Sequence, residues 1–120
     1  MTFNKSDRLW LIADDISGQG EHELAFRFHL SSGIETTVHP DGSIEAYDKM
    51  TGARLLIVSR GFTVQAELEE RFSSRDYGAK QPSVSACWRQ RTALPFSAHF
   101  GIVPIAPGEN VGQRMALVRI

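Results

Sequence analysis

The sequence predicts an all-β fold, a two-layer antiparallel β-sandwich of about nine or ten short strands. Three observations support it. Apolar and polar residues alternate over most segments, as in strands with one face on a core and the other in water. Turn-forming residues separate these segments at short intervals. Hydrophobic residues make up 42% of the 120 residues and charged residues 22%, the composition of an ordinary globular domain. We therefore expect one domain over residues 1–120, without disulfides because it has one cysteine.

The first half of the chain contains the clearest strand and turn signals. Residues 9–13 are apolar on both faces, which predicts a strand covered on both sides. Residues 22–30 alternate regularly and predict a half-buried strand. The turn signal at residues 40–42, Pro-Asp-Gly, predicts a hairpin between two short strands. Residues 55–58 again predict a strand covered on both sides.

The second half is less uniform. Residues 62–72 alternate and favour a strand, although Val64, Leu68 and Phe72 also fit one face of a helix. Residues 94–102 alternate strongly, and residues 114–120 predict the last strand. The apolar phases of the clearest strands give the predicted core: Trp10, Phe26, Phe28, Leu55, Ile57, Phe96 and Phe100.

Charge and hydropathy exclude two classes of partner. The 13 basic and 14 acidic residues give a net charge of -1, whereas a general nucleic-acid binder needs a basic surplus. No apolar run approaches the length of about 18 residues that a membrane helix requires. The polar start of the chain does not resemble a signal peptide. We expect no nucleic-acid or membrane partner.

The histidines do not predict a metal site. His22 and His29 are seven residues apart on one predicted strand, and an odd spacing places them on opposite faces. No spacing typical of zinc ligands occurs. We expect a partly buried His22 bonded to the backbone, a solvent-facing His29, and neither metal nor cofactor.

Other candidate catalytic groups also diverge. The adjacent carboxylates at residues 14–15 and 69–70 point to opposite strand faces and do not converge for acid–base chemistry. Cys87 lies between Ala86 and Trp88 without a cysteine-hydrolase signature, so it is interpreted as a small buried residue.

Arginine content suggests one binding surface. The chain has ten arginines and three lysines, and guanidinium groups bind carboxylate or sulfate through two parallel hydrogen bonds. Arg89 and Arg91 share a strand face opposite Trp88, and Tyr77 precedes them. These three residues are the candidate contacts for an acidic polysaccharide. In the alternative interpretation Trp88 belongs to the core and the arginines form a solvated face.

Several motifs, in order, resemble the C-terminal part of the heparinase II/III-like family. They are Trp-Leu-Ile-Ala-Asp-Asp-Ile at 10–16, Gly-Gln-Gly-Glu-His-Glu at 18–23, and Phe-Arg-Phe-His-Leu at 26–30. Ser-Arg-Asp-Tyr-Gly at 74–78, Ala-Leu-Pro-Phe at 93–96 and Ile-Val-Pro at 102–104 continue the match. The resemblance spans roughly residues 9–107.

The resemblance implies a larger parent protein. In that family an α/α toroid precedes a layered β-domain, and the enzymes are bacterial lyases that eliminate uronic-acid polysaccharides. The catalytic residues lie upstream of the region matched here, so the chain resembles a non-catalytic C-terminal β-domain, inactive alone. Its implied partners are the toroid and upstream β-strands of the parent chain, with acidic polysaccharide as a further partner. A periplasmic or cell-envelope location is implied for the parent. The alternative is a free-standing carbohydrate- or protein-binding β-sandwich module.

Overall fold

A computed structural model describes residues 2–4, 8–31, 33–72 and 82–118. These residues form nine β-strands and one short helix. The elements are β1 (Thr2–Asn4), β2 (Leu9–Ile16), β3 (Glu21–Leu30), β4 (Ile34–Val38), β5 (Ile44–Asp48), β6 (Arg54–Arg60), β7 (Glu67–Phe72), β8 (Pro82–Ala93), β9 (Phe96–Ile105) and α1 (Val111–Met115).

The strands form two antiparallel sheets, which confirms the predicted all-β fold in two layers. The larger sheet, called sheet A, has the order β1-β2-β9-β6-β5-β4, and sheet B has the order β3-β8-β7. Every paired neighbour is antiparallel. Sheet A is therefore twice as wide as the sheet that faces it.

An aromatic core fills the space between the sheets. Alternation in β8 directs Trp88 inward, where it is 0% exposed. Its ring centroid lies 5.3 Å from that of Phe100 on β9, and Phe28 on β3 lies 4.9 Å from Phe100. Inclined contacts at these distances are the favoured geometry for aromatic pairs. The buried residues of this core are Ile44, Ile57, Ala66, Ala86, Trp88, Ala98 and Phe100.

A second, smaller core lies on the opposite face of sheet A. Leu56, Val103 and Ile105 are buried there beneath residues of α1 and the turn that follows it. Leu56 and its neighbour Ile57 are each 1% exposed although they point to opposite faces. The prediction that residues 55–58 are covered on both sides is confirmed.

Helix α1 corrects the predicted last strand at residues 114–120. Asn110 caps the helix by accepting a hydrogen bond from the backbone of Gln113 at 3.0 Å. Val111, Met115 and Val118 then recur at the spacing of one helical face, and that face packs on sheet A. Residues 119–120 lie outside the described part of the chain.

The predicted core needs one correction. Trp10 is 38% exposed, because the core between the sheets extends along β2 only as far as Ile12. Ile57 and Phe100 are buried as predicted. The other four residues are only partly buried: Phe26, Phe28 and Phe96 pack against the core, and Leu55 lines a groove at its edge.

The ambiguous segment at residues 62–72 contains a strand, but a shorter one than predicted. β7 begins at Glu67, and the preceding residues are irregular. Phe62 and Ala66 nevertheless pack into the aromatic core, whereas Val64 is 39% exposed. The apolar alternation here therefore reflects a loop anchored at two points.

Candidate functional site

The predicted binding residues fall on the outward face of sheet B. Arg89 and Arg91 lie on β8 and are exposed, while Trp88, the residue before Arg89, points into the core. The predicted arrangement of these three side chains is thus confirmed. Tyr77 lies outside the described residues.

Both arginines already face carboxylates of the neighbouring strands. The Nε atom of Arg89 lies 3.6 Å from a Glu23 carboxylate oxygen, and its Nη2 atom lies 4.0 Å from Glu69. The Nε atom of Arg91 lies 3.6 Å from Glu21. The β3–β8 register places Glu23 directly opposite Arg91, so these ion pairs run diagonally across the strands.

A third arginine extends the same surface. The Nε atom of Arg27 on β3 donates to Glu69 on β7 at 3.1 Å, passing across β8. This hydrogen bond raises the pKa of Arg27 above its ordinary value. Glu69 lies between Arg27 and Arg89 and links them into one network. The sequence does not predict Arg27 and Glu69 as site residues, although the alternation of residues 22–30 places Arg27 on the polar face.

We call these six side chains the charged face: Glu21, Glu23, Arg27, Glu69, Arg89 and Arg91. Three carboxylates and three guanidinium groups cancel in formal charge. The ion pairs are largely solvent-exposed, so each contributes little to stability. An acidic ligand would therefore have to displace glutamates before it could bind the arginines.

Small buried residues lie beneath the charged face. Cys87 points outward yet is 1% exposed, because it lies on the central strand between Arg27 and Glu67 in the register. Its predicted burial is confirmed. Ser85, also 1% exposed, has its hydroxyl 2.7 Å from Nδ1 of His29.

The histidines lie where strand alternation puts them. His22 and His29 occupy opposite phases of β3. The Nε2 atom of His22 lies 2.9 Å from the carbonyl oxygen of Gln19, as the predicted backbone contact requires, but His22 is exposed and not partly buried. Within the described residues no group of three or more histidine, cysteine or acidic side chains could hold a metal ion.

Two of the grooves lined by described residues lie beside the sheets. One, of about 270 Å³, lies at an open end of the sandwich and is lined by residues including His29, Ile34 and Leu55. The other, of about 400 Å³, lies beside α1, where Leu56 and Met115 are among its lining residues.

The groove beside α1 carries the more defined polar groups. His39 Nε2 lies 3.6 Å from a Glu45 carboxylate oxygen. Asp41 accepts hydrogen bonds from the hydroxyl and backbone of Ser43, at 2.6 and 2.9 Å, and these lower the pKa of the Asp41 carboxyl. Asp41 therefore stays ionised and fixed in a turn, which suits a structural role better than proton transfer.

Comparison with known proteins finds no matching family model, curated protein or solved structure. Among the described residues, no helix is long and apolar enough to span a membrane.

Proposed function

We propose that this chain is the non-catalytic C-terminal β-domain of a heparinase II/III-like polysaccharide lyase, where it supports the catalytic toroid. The observation that carries this proposal is the position of the motifs behind the resemblance. Within the described residues, the glycines and most phenylalanines of these motifs form turns and core, as expected of residues that maintain a fold, whereas Trp10 is exposed and Arg27 lies on the charged face.

Two motifs that are distant in the sequence, at residues 18–23 and 93–96, contact each other in the structure. The backbone N–H of Leu94 donates to the carbonyl oxygen of Gly20 at 2.9 Å. Gly18 adopts a φ of +143°, and a Cβ atom there would lie 2.8 Å from the Leu94 side chain. This positive φ favours glycine, and a Cβ atom would also force the Leu94 side chain to move. Both motifs are therefore explained by packing.

The aromatic residues of the motifs also pack together. Phe26 on β3 and Phe96 on β9 have ring centroids 6.4 Å apart, and each contacts Phe62. These contacts join sheet B to sheet A. A motif with this role stabilises a sandwich and does not require an active site.

The charged face supports the same interpretation. Elimination from a uronate needs a base and a group that neutralises the carboxylate within reach of one sugar. Arg89 and Arg91 are the best neutralising candidates among the described residues, and both lie beside glutamates that oppose an anionic substrate. A supporting domain in contact with a toroid and upstream strands fits this surface better than a catalytic one.

The coding sequence that adjoins residue 1 tests the proposal. We expect it to continue in frame into an α-rich segment of several hundred residues, as the family resemblance implies, followed by further β-strands. An adjoining stop codon or an unrelated domain would overturn the proposal and favour the free-standing binding module.

Contact with an acidic glycan is the further part of this proposal. Titration of a heparin oligosaccharide into isotopically labelled protein should shift the resonances of Arg89 and Arg91, and the shifts should weaken with salt because exposed charges are screened beyond about 8 Å. Arg89→Gln should reduce the shifts, whereas Arg60→Gln on sheet A serves as the matched control. Equal behaviour of the two variants would exclude glycan binding at the charged face.

A further inference from the structure

Strand β3 has one edge that no strand of the described residues covers. It is ten residues long and pairs with β8 along one side, while no described strand pairs with the other. The other edge strands, β1, β4 and β7, have three, five and six residues. β3 therefore presents the longest row of unpaired backbone groups among the described edges.

The β3 edge carries charged side chains but lacks several other features that protect edge strands from pairing. Its register with β8 runs without interruption from Glu21 to Leu30, so no bulge twists it away. It contains no proline and no lysine. Four of the five side chains in its inward phase are apolar and only partly buried, namely Leu24, Phe26, Phe28 and Leu30, and the fifth is the exposed His22. An edge of this kind is a template for another strand.

The outward side chains of β3 make it complementary to itself. In order they are Glu21, Glu23, Ala25, Arg27 and His29. If two copies pair antiparallel about a two-fold axis at Ala25, Glu23 lies opposite Arg27 of the second copy. Glu21 then lies opposite His29 of the second copy. Directly opposed charges of opposite sign stabilise strand pairs.

Other registers are less favourable. An axis at Glu23 or Arg27 would place two like charges directly opposite each other. An axis at Leu24 pairs Glu21 with Arg27 but leaves Glu23 opposite Ala25. An axis at Phe26 pairs Glu23 with His29 but leaves Arg27 opposite Ala25. The sequence therefore selects Ala25 as the centre.

The β7 edge does not offer the same possibility. It carries Glu67, Glu69 and Glu70 within six residues, so self-pairing would bring carboxylates together. The two edges of sheet B thus differ in their capacity to accept a second copy.

We propose that two copies of this chain associate through antiparallel pairing of β3 with β3, centred on Ala25. The two three-stranded sheets then form one continuous sheet with the order β7-β8-β3-β3-β8-β7. This isologous contact uses the same strand on both copies, as closed two-fold symmetry requires. It does not depend on the proposed function, because it follows from the strand edge and its charge order.

A disulfide at the two-fold axis tests the register. Opposed residues in antiparallel strands have Cα atoms about 4.5–5.5 Å apart, within the range of a disulfide. Ala25→Cys in a Cys87→Ala background should therefore form a covalent dimer under mild oxidation. Ala13→Cys is the matched control, because Ala13 is also an exposed strand alanine but lies on β2 of sheet A, away from the proposed contact. Failure of Ala25→Cys to cross-link, or equal cross-linking of both variants, would overturn the proposal.

Charge reversal provides an independent measurement. Each dimer contains two Glu23–Arg27 contacts, so Glu23→Arg should raise the dimer dissociation constant about tenfold. The double variant Glu23→Arg/Arg27→Glu restores opposite charges and should recover association. Glu35→Arg on β4 is the control and should change nothing. Sedimentation over a concentration series, with circular dichroism to confirm folding, gives the result. A wild-type chain that stays monomeric throughout, or a Glu23→Arg variant that associates like wild type, contradicts the account.

Discussion

The two sheets expose very different outer faces. On sheet A, α1 covers the buried residues Leu56, Val103 and Ile105, and the buried Arg114 side chain closes the contact. On sheet B, the charged face has no helix over it among the described residues, and its ion pairs span 3.1–4.0 Å in half-buried to exposed positions. One outer face is a second core, and the other is a solvated surface.

The outer faces differ because the outward-pointing residues of β6 and β8 differ in polarity. In β6 both phases are apolar, so each face must be covered. In β8 the outward phase is small or charged, so the strand can face water. Substitutions on the outer face of sheet A should therefore change the free energy of unfolding. Substitutions on the outer face of sheet B should instead change ligand or partner binding.

The largest effect should come from the second core. Leu56→Ala removes a fully buried side chain beneath α1 and should cost about 2–5 kcal/mol, since deletion leaves a cavity. Chemical denaturation measures the loss. A cost below about 1 kcal/mol would mean that α1 does not pack stably on sheet A.

Substitution of Arg114 tests whether its buried guanidinium group helps to hold α1 on sheet A. Its guanidinium donates to the carbonyl oxygen of Pro104 at 2.9 Å and to that of Arg8 at 2.8 Å. Arg114→Met should cost about 1–3 kcal/mol, because buried carbonyl groups lose their donors. If the variant is as stable as wild type in thermal and denaturant unfolding, these hydrogen bonds do not hold the helix.

Asp41, in the groove beside α1, should make the stability of this side of sheet A depend on pH. The pKa of Asp41 is lower in the folded protein because Ser43 donates to its carboxylate. This stabilisation is present above the unfolded pKa and is lost as pH falls through the folded pKa. Asp41→Ala should lose about 1 kcal/mol near neutrality, from its hydrogen bonds. The difference from wild type should close in acid, and a gap that stays constant with pH would contradict this role.

The smallest effect should occur on the charged face. Arg89→Gln should change the free energy of unfolding by less than about 0.5 kcal/mol, since exposed ion pairs contribute little. A loss comparable to that of Leu56→Ala would erase the distinction between the two outer faces.

The fold could be predicted because the alternation is strong in β3 and β9. Strand phase alone predicts Phe100 in the core and Arg89 on the polar face, and the structure confirms both. Trp10 was misplaced because the phase of a residue gives its face but not how far the opposite sheet extends.

Helix α1 and the charged face could not be predicted from the local sequence pattern alone. Val111, Met115 and Val118 show helical spacing only once Asn110 is identified as a cap, whereas the apolar residues near the end favoured a strand. Arg27 and Glu69 lie 42 residues apart, so their pairing follows from strand register. The arginines alone suggested a cationic surface, but the register places a glutamate beside each one.

Activity of the chain alone tests the central claim most directly. Purified protein is incubated with heparin, heparan sulfate, chondroitin sulfate, hyaluronan and alginate, and the ultraviolet absorbance of the unsaturated uronate product is followed. A non-catalytic supporting domain predicts no turnover on any of these polymers. Sustained turnover that disappears in Tyr77→Phe would contradict the account, because it would place a catalytic base within this chain.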